Sequence, residues 1–371
     1  MKATRILRRA RVLIVGCGDV GMRCVELLRP RAHIFALTSQ PARRAELRAA
    51  GVTPLVGDLD ARRSLKRLAG LAPTVLHLAP PQKTGDDDRR TRALLAALTS
   101  RPVQSLRPLQ PQQSLRPTHA AMAPTARWRG RLRSQPAWQS APKLPQHPAK
   151  LRATRMDRKT SRIVPDGTGR LSGSRAPLRI VYASTTGVYG DCGGALIDET
   201  RALRPANLRA KRRASAEQQL RRATARGRVA ATIARIPGIY AANRLPLARL
   251  EKGTPALIDT EDVYTSHIHA DDLAAILVRM ATHGRPSRVI HASDDTGLKM
   301  GEYFDVVADA YGLPRAPRIT RAEAEQQLEP VLLSFMRESR RLSNRRMKRE
   351  LGIQLRYPTV ADFLREKTRG A

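Results

Sequence analysis

Residues 11–21 read RVLIVGCGDVG, an apolar, β-branched run that ends in three glycines spaced GxGxxG (Gly16, Gly18 and Gly21). A lone GxGxxG carries little information. Here it follows a strand-like run and precedes the helical pattern VGMRCVELL, and that context makes it a dinucleotide fingerprint. Gly16 permits the tight turn and Gly18 lets the backbone approach a pyrophosphate. Gly21 lets helix and strand pack closely, while Gly18, Asp19 and Val20 open the helix whose N-terminus offers unpaired N–H groups and positive potential.

Working outward, strand and helix signals alternate. HIFALT (33–38), TPLVGDL (53–59) and PTVLHLAP (73–80) read as strands, and PARRAELRAAG, ARRSLKRLAG and GDDDRRTRALLAAL as the helices between them. In the last helix three acids fall in the first turn, at the positive end of the dipole. LRIVYAS (178–184), VAATIARIPGIY (229–240) and SRVIHAS (287–293) continue the strands. A basic helix is expected over 207–226, and DLAAILVRMA (272–281) as an apolar helix capped by Asp271 or Asp272. Apolar strands alternating with helices predict an α/β fold: a Rossmann-type doubly wound parallel sheet covered on both faces.

The pattern breaks over 100–177, which holds both tryptophans, no phenylalanine and two copies of QSLRP, at 104–108 and 113–117. This Pro-rich basic stretch is expected to be a disordered insertion. Trp128 and Trp138 lie among its arginines, an interleaving found in single-strand nucleic-acid binders. The charge is a weak guide, however. The chain carries 68 Lys+Arg against 32 Asp+Glu, and only 11 of the 68 are lysine, as GC-rich coding alone would produce. Nucleic acid is therefore not the expected partner.

No run of about 18 apolar residues is present, so no membrane span is expected. The N-terminal apolar run, Val12–Val15, is too short for the secretory core of roughly 7–15 residues. Three cysteines without a CxxC fit a reducing cytoplasm. His267 and His269 form an HxH beside two carboxylates, but no third ligand is evident and no metal is expected.

After the second strand the chain reads ALTSQPARR. Thr38 and Ser39 are neutral and Arg43 follows, where a carboxylate would select NAD. Hydroxyls and a guanidinium accept a 2′-phosphate, so NADP is favoured and NAD remains allowed. Asp58, in VGDLD, stands where a carboxylate accepts from an adenine amino group; a helix cap shared with Asp60 is the alternative.

The stretches RVLIVGCGDVG, VGDLD, HLAPP, YASTTGVYGD, ARIPGIY, SHIHADDLA and SNRRMKRELG…YPT together resemble the atypical or extended short-chain dehydrogenase/reductases, in the NAD-dependent epimerase/dehydratase group. That resemblance implies a Rossmann domain over 1–99 and 178–240 with the strand 287–293. It also implies a small C-terminal α/β substrate region over 241–371. It sets Leu59 and the segment Leu78, Ala79 and Pro80 beside the cofactor, and Pro237 at its nicotinamide end. The family's acid/base chemistry uses a Ser/Thr, a tyrosine and a lysine four residues later. Thr185 matches the first. Anchoring on Glu217 sets Arg209 at the tyrosine position and Arg213 at the lysine; a shifted register gives Asn207 and Lys211. Arginine does not shuttle protons near neutral pH, although Arg213 is suited to ribose hydroxyls. Tyr189 is then the nearest substitute acid.

The expectation is an NAD(P)-dependent oxidoreductase or epimerase-like enzyme acting on a small carbonyl, alcohol or nucleotide-sugar. Thr185 and Tyr189 are the candidate catalytic residues, and a homodimer is compatible with it. The rival reading is a non-catalytic NADP sensor.

Overall fold

The computed structural model describes residues 9–100 and 177–369. Apart from its two end residues, the expected insertion, with its tryptophans and its repeated QSLRP, lies outside the described residues. The strands are β1 (Ala10–Val15), β2 (Ala32–Thr38), β3 (Thr53–Val56), β4 (Thr74–His77), β5 (Leu178–Thr185), β6 (Leu196–Ile197), β7 (Val229–Ile236), β8 (Gly238–Tyr240), β9 (Ala256–Leu257), β10 (His267–His269), β11 (Val289–His291), β12 (Arg318–Ile319) and β13 (Arg341–Leu342). Seven of them form one parallel sheet in the order β3-β2-β1-β4-β5-β7-β11. Strand order reverses between β1 and β4, and at such a switch point the two flanking loops diverge and open a crevice.

Strand periodicity divides the core. In β1, Val12 and Ile14 face one buried cluster and Leu13 and Val15 the other. The first cluster takes in Cys24 and Val25 of α1 (Asp19–Leu28) and Leu273, Ile276 and Leu277 from the helix Ala270–His283. The second takes in Leu94 and Leu98 of Arg89–Thr99 and Ala216 and Leu220 of Leu208–Ala225. A sheet buried on both faces explains why its strands read as unbroken apolar runs. The doubly wound parallel sheet is as expected.

Four local readings change. ARRSLKRLAG forms 3-10 turns over Arg62–Leu68 rather than an α-helix. The acids of GDDDRR do not fill a first turn: the helix begins at Arg89, and Asp88 caps it by accepting from the Thr91 N–H. The run 229–240 splits at Pro237, whose missing N–H interrupts the ladder; β7 stays in the main sheet, and β8 pairs with β10. The helix Ala270–His283 is capped by His269, whose Nδ1 accepts from the Asp271 N–H at 3.2 Å. Asp272 accepts instead from the N–H groups of Arg356 and Tyr357.

A third buried cluster joins Tyr240 and Leu250 to Tyr303, Phe304 and Val307 of the helix Met300–Tyr311, and to Tyr357 and Phe363 near the C-terminal end. It caps the strand ends on the β5–β7 side. The residues after 240 do not all join it, because Ala270–His283 and Met347 and Leu351 pack on the main sheet.

Candidate functional site

The glycine loop is shaped by contact with the strand beside it. Gly16 has φ +90°, and a Cβ there would lie 2.5 Å from the Ala79 nitrogen. The backbones are this close because Leu78 and Ala79 both donate to the Val15 carbonyl, at 2.8 and 2.9 Å. Gly21 sits inside the turn, where a Cβ would be 3.1 Å from the Gly16 oxygen. Gly18 has open space where its Cβ would be and forms the N-cap of α1 without a side-chain cap. The helix therefore presents free N–H groups to that space.

A cavity of about 360 Å³ lies over this loop. Gly16 and Gly18 line it from the end of β1, and Thr38, Ser39 and Arg43 from the end of β2. Asp58 and Leu59 follow β3, and Leu78, Ala79 and Pro80 follow β4. Ten of the expected cofactor residues thus share one crevice at the switch point. Asp19 and Val20 are not among its lining. Asp19 pairs with Arg23 at 3.3 Å and Arg244 at 3.2 Å, and Val20 packs against the core. Arg43 donates to the Cys17 carbonyl at 2.7 Å and holds Glu46 in a two-point ion pair, so its guanidinium bridges the glycine loop to the next helix. The pair holds Glu46 below the usual carboxylate range. Asp58 accepts from the Asp60 N–H at 2.9 Å and keeps its place in the cavity wall.

A second cavity, about 450 Å³, opens at the ends of β5 and β7, on the same C-terminal edge of the sheet. Thr185, Arg213 and Pro237 line it, together with Asn207 and Arg209. Thr185 Oγ1 accepts from the Gly187 N–H at 3.3 Å, which turns the chain after β5. Asn207 caps the basic helix by accepting from the Ala210 N–H at 2.9 Å. Arg209 is exposed and lies 4.9 Å over the ring of Phe335. Arg213 donates to the Ala183 carbonyl at 2.6 Å and to the Tyr182 hydroxyl at 3.2 Å, so part of its donor set fastens the cavity floor.

Tyr189 is not placed as an acid in this cavity. It is 1% exposed, and its hydroxyl accepts from Arg235 Nη1 at 2.7 Å and meets His291 Nε2 at 2.5 Å. Burial pushes its phenol up to about 12. It belongs to a buried network running from Ser184 through Glu217 and Arg235 to His291.

Several cleft residues were not singled out from the sequence for this role. Arg249, Tyr303, Glu338 and Arg340 line the second cavity, as does His267. The HxH pair divides its work: His269 caps a helix, while His267 stacks on Tyr303 with ring centroids 4.2 Å apart. Burial lowers the His267 imidazole to about 4, and its Nδ1 has no hydrogen-bond partner. Among the described residues, no group of three His, Cys, Asp or Glu side chains is arranged to hold a metal ion. No helix of the described residues is long and apolar enough to cross a membrane.

Residues 170–292 match the model of the NAD dependent epimerase/dehydratase family, in line with the resemblance carried by the sequence motifs. No curated protein matches the chain. Among solved structures, a conserved protein of unknown function from Silicibacter pomeroyi is similar at 23% identity and TM-score 0.66, covering 97% of this chain and 99% of its own. DesIV, a dTDP-glucose 4,6-dehydratase from Streptomyces venezuelae solved with NAD and TYD, is 17% identical with TM-score 0.62, over 97% of this chain and 96% of its own. MoeE5, solved with UDP-glucose and NAD, is 16% identical with TM-score 0.59, over 97% and 98%. At these identities the structural likeness establishes the fold.

Proposed function

We propose that this chain binds a nicotinamide dinucleotide along the C-terminal edge of its sheet and acts on a small carbonyl, alcohol or nucleotide-sugar substrate in the β5–β7 cleft. The observation that carries the reading is the contact of Gly16 with the Ala79 backbone beside the open space at Gly18. It leaves room for a pyrophosphate against free helix N–H groups. The cradle fits the cofactor: Ser39 offers a hydroxyl at the far end of the crevice and Arg43 a cation, while the buried Thr38 hydroxyl is engaged by the Gln40 backbone, and this favours NADP over NAD. The family match and the NAD bound in DesIV and MoeE5 support a nicotinamide cofactor.

Bound there, the cofactor supplies hydride chemistry. The chain's own part is orientation. Thr185 presents a hydroxyl to a substrate oxygen, and Arg213 holds the floor at Ala183. With arginines at the tyrosine and lysine positions on the register anchored at Glu217, an asparagine and a lysine on the shifted one, and Tyr189 occupied by Arg235 and His291, a proton reaches the substrate oxygen from water. The same two arginines favour the second reading, a non-catalytic dinucleotide sensor.

Calorimetric titration of the full chain with NADPH and with NADH tests the common premise. Saturable binding, tighter for NADPH, is expected. No binding of either by folded protein sinks both readings. A reductase activity that survives Thr185→Ala unchanged removes Thr185 from its role.

A further inference from the structure

The β5–β7 cleft holds an unusual charge balance. Four guanidinium groups line it, those of Arg209, Arg213, Arg249 and Arg340, against a single lining carboxylate, Glu338. Glu338 is already paired with Arg340 at 2.8 Å. Asp262, near Arg249, is engaged by the N–H groups of Gly301 and Val263. Arg249 bears the largest cost: burial lowers its pKa, its Nε is buried without a partner among the described residues, and its only hydrogen bond among them goes to the Pro255 carbonyl at 3.1 Å. Its guanidinium is held 4.4 Å over the Phe304 ring, at a fixed place in the wall. A partly desolvated cation that makes no ion pair among the described residues, with Asp262 acting on it only from a distance, raises the free energy of the empty cleft, and an entering anion relieves it.

The geometry points to an oxyanion site in this cleft: the ligand carries a carboxylate or phosphate group that is received by Arg249 and Arg209. Arg340 and the donors of Arg213 not used at Ala183 complete the positive surround. On the register anchored at Glu217, Arg209 and Arg213 stand at the positions of the absent tyrosine and lysine, which sets the charged group at the reacting end of the cleft and not at a remote handle. This deepens the proposed function by giving its substrate an acidic group, and it rests on that reading only in calling the ligand a substrate.

The full chain is titrated calorimetrically with inorganic phosphate and, separately, with malonate, in a buffer free of other oxyanions. At least one probe is expected to saturate, with affinity falling about tenfold or more in Arg249→Gln and in Arg209→Gln, the loss of a charge-assisted hydrogen bond. Arg345→Gln, which removes an exposed arginine outside the cleft, should change it less than twofold. This control separates the site from attraction to a +36 chain, and the two cleft variants separate it from phosphate held at the glycine loop. Arg209 is exposed on its helix, so its variant folds even where Arg249→Gln does not. Phosphate alone identifies a phosphorylated ligand, malonate alone a carboxylate, and both the shared class. No saturation by either probe, or equal weakening by Arg345→Gln, overturns the site. NADPH binding without anion binding rejects the oxyanion site and keeps the cofactor reading; Arg209-dependent anion binding without NADPH does the reverse.

Discussion

Arg235 donates from Nε and Nη2 to the two carboxylate oxygens of Glu217, at 3.1 and 2.7 Å, with side chains 2% and 1% exposed. The pair ties β7 to the basic helix directly beneath the cleft. Ser184 donates to the same carboxylate at 2.6 Å, and Arg235 also donates to Tyr189. Removing one partner of a buried pair strands the other charge, so Glu217→Ala should lower stability by about 3–5 kcal/mol. Replacing both residues with leucine and methionine should cost clearly less than the single change. Urea denaturation of the three proteins checks this, and a double variant as unstable as Glu217→Ala would refute it.

The glycines of the loop should respond differently. Gly16→Ala brings a Cβ onto the Ala79 backbone and holds a non-glycine residue at φ +90°, at a cost of about 1–3 kcal/mol from the strained backbone alone. Gly18→Ala meets nothing within 4 Å, at φ −82°. It should therefore leave the melting temperature unchanged while weakening NADPH binding, because the added methyl fills the approach to the helix N–H groups. Equal melting temperatures for the two variants would show that the close approach to Ala79 has been misread.

The strands of the main sheet other than the partly exposed edge strand β3 were legible because they are buried on both faces and bounded by turn residues; RVLIVG and HIFALT lie within one residue of β1 and β2. Pro237 marked a break in VAATIARIPGIY that apolarity alone concealed. Arg235 carried a signal of its own, since a charge amid an otherwise apolar buried strand requires a partner. That partner, Glu217, is known only once the helix is docked. The crevice over the glycine loop was largely readable because most of its lining lies at or just after the ends of β1 to β4. The cleft was not. Arg249, Glu338 and Arg340 come from segments without periodicity, and only tertiary packing brings them to Thr185.

The proposed preference for NADPH rests on Arg43. Its guanidinium is shared between the Cys17 carbonyl and Glu46, which offsets part of its charge. Arg43→Gln should weaken NADPH binding about tenfold, the worth of a charged hydrogen bond, and NADH binding much less. Glu46→Gln should strengthen NADPH selectively, because it frees the arginine. Parallel titrations with the two cofactors measure the ratio. An unchanged ratio in Arg43→Gln would assign Arg43 to loop structure alone.

Acid should destabilise the fold well before its surface carboxylates titrate. Burial lowers His77 to about 3 and His267 and His291 to about 4, from 6.5. Each stays neutral in the fold while the unfolded chain takes up a proton, so each contributes stability that is full above pH 6.5 and lost as pH falls toward 4. Asp294 acts in the opposite sense. Burial raises it from 3.8 to about 7, so its contribution is present at low pH and lost as pH rises through that window. Three groups against one leave a net loss of stability on acidification, on the order of 2–3 kcal/mol per pH unit between pH 6 and 4.5. Carboxylates held low, such as Asp60 and Glu350, add to the loss only below about pH 4.5. Urea midpoints at pH 7.5 and 5.0 should differ accordingly, and His77→Asn should roughly halve the dependence. A midpoint that does not fall at pH 5.0 would mean that the histidines become charged within the fold, and that the neutral, buried imidazole assigned to His267 in the cleft wall is wrong.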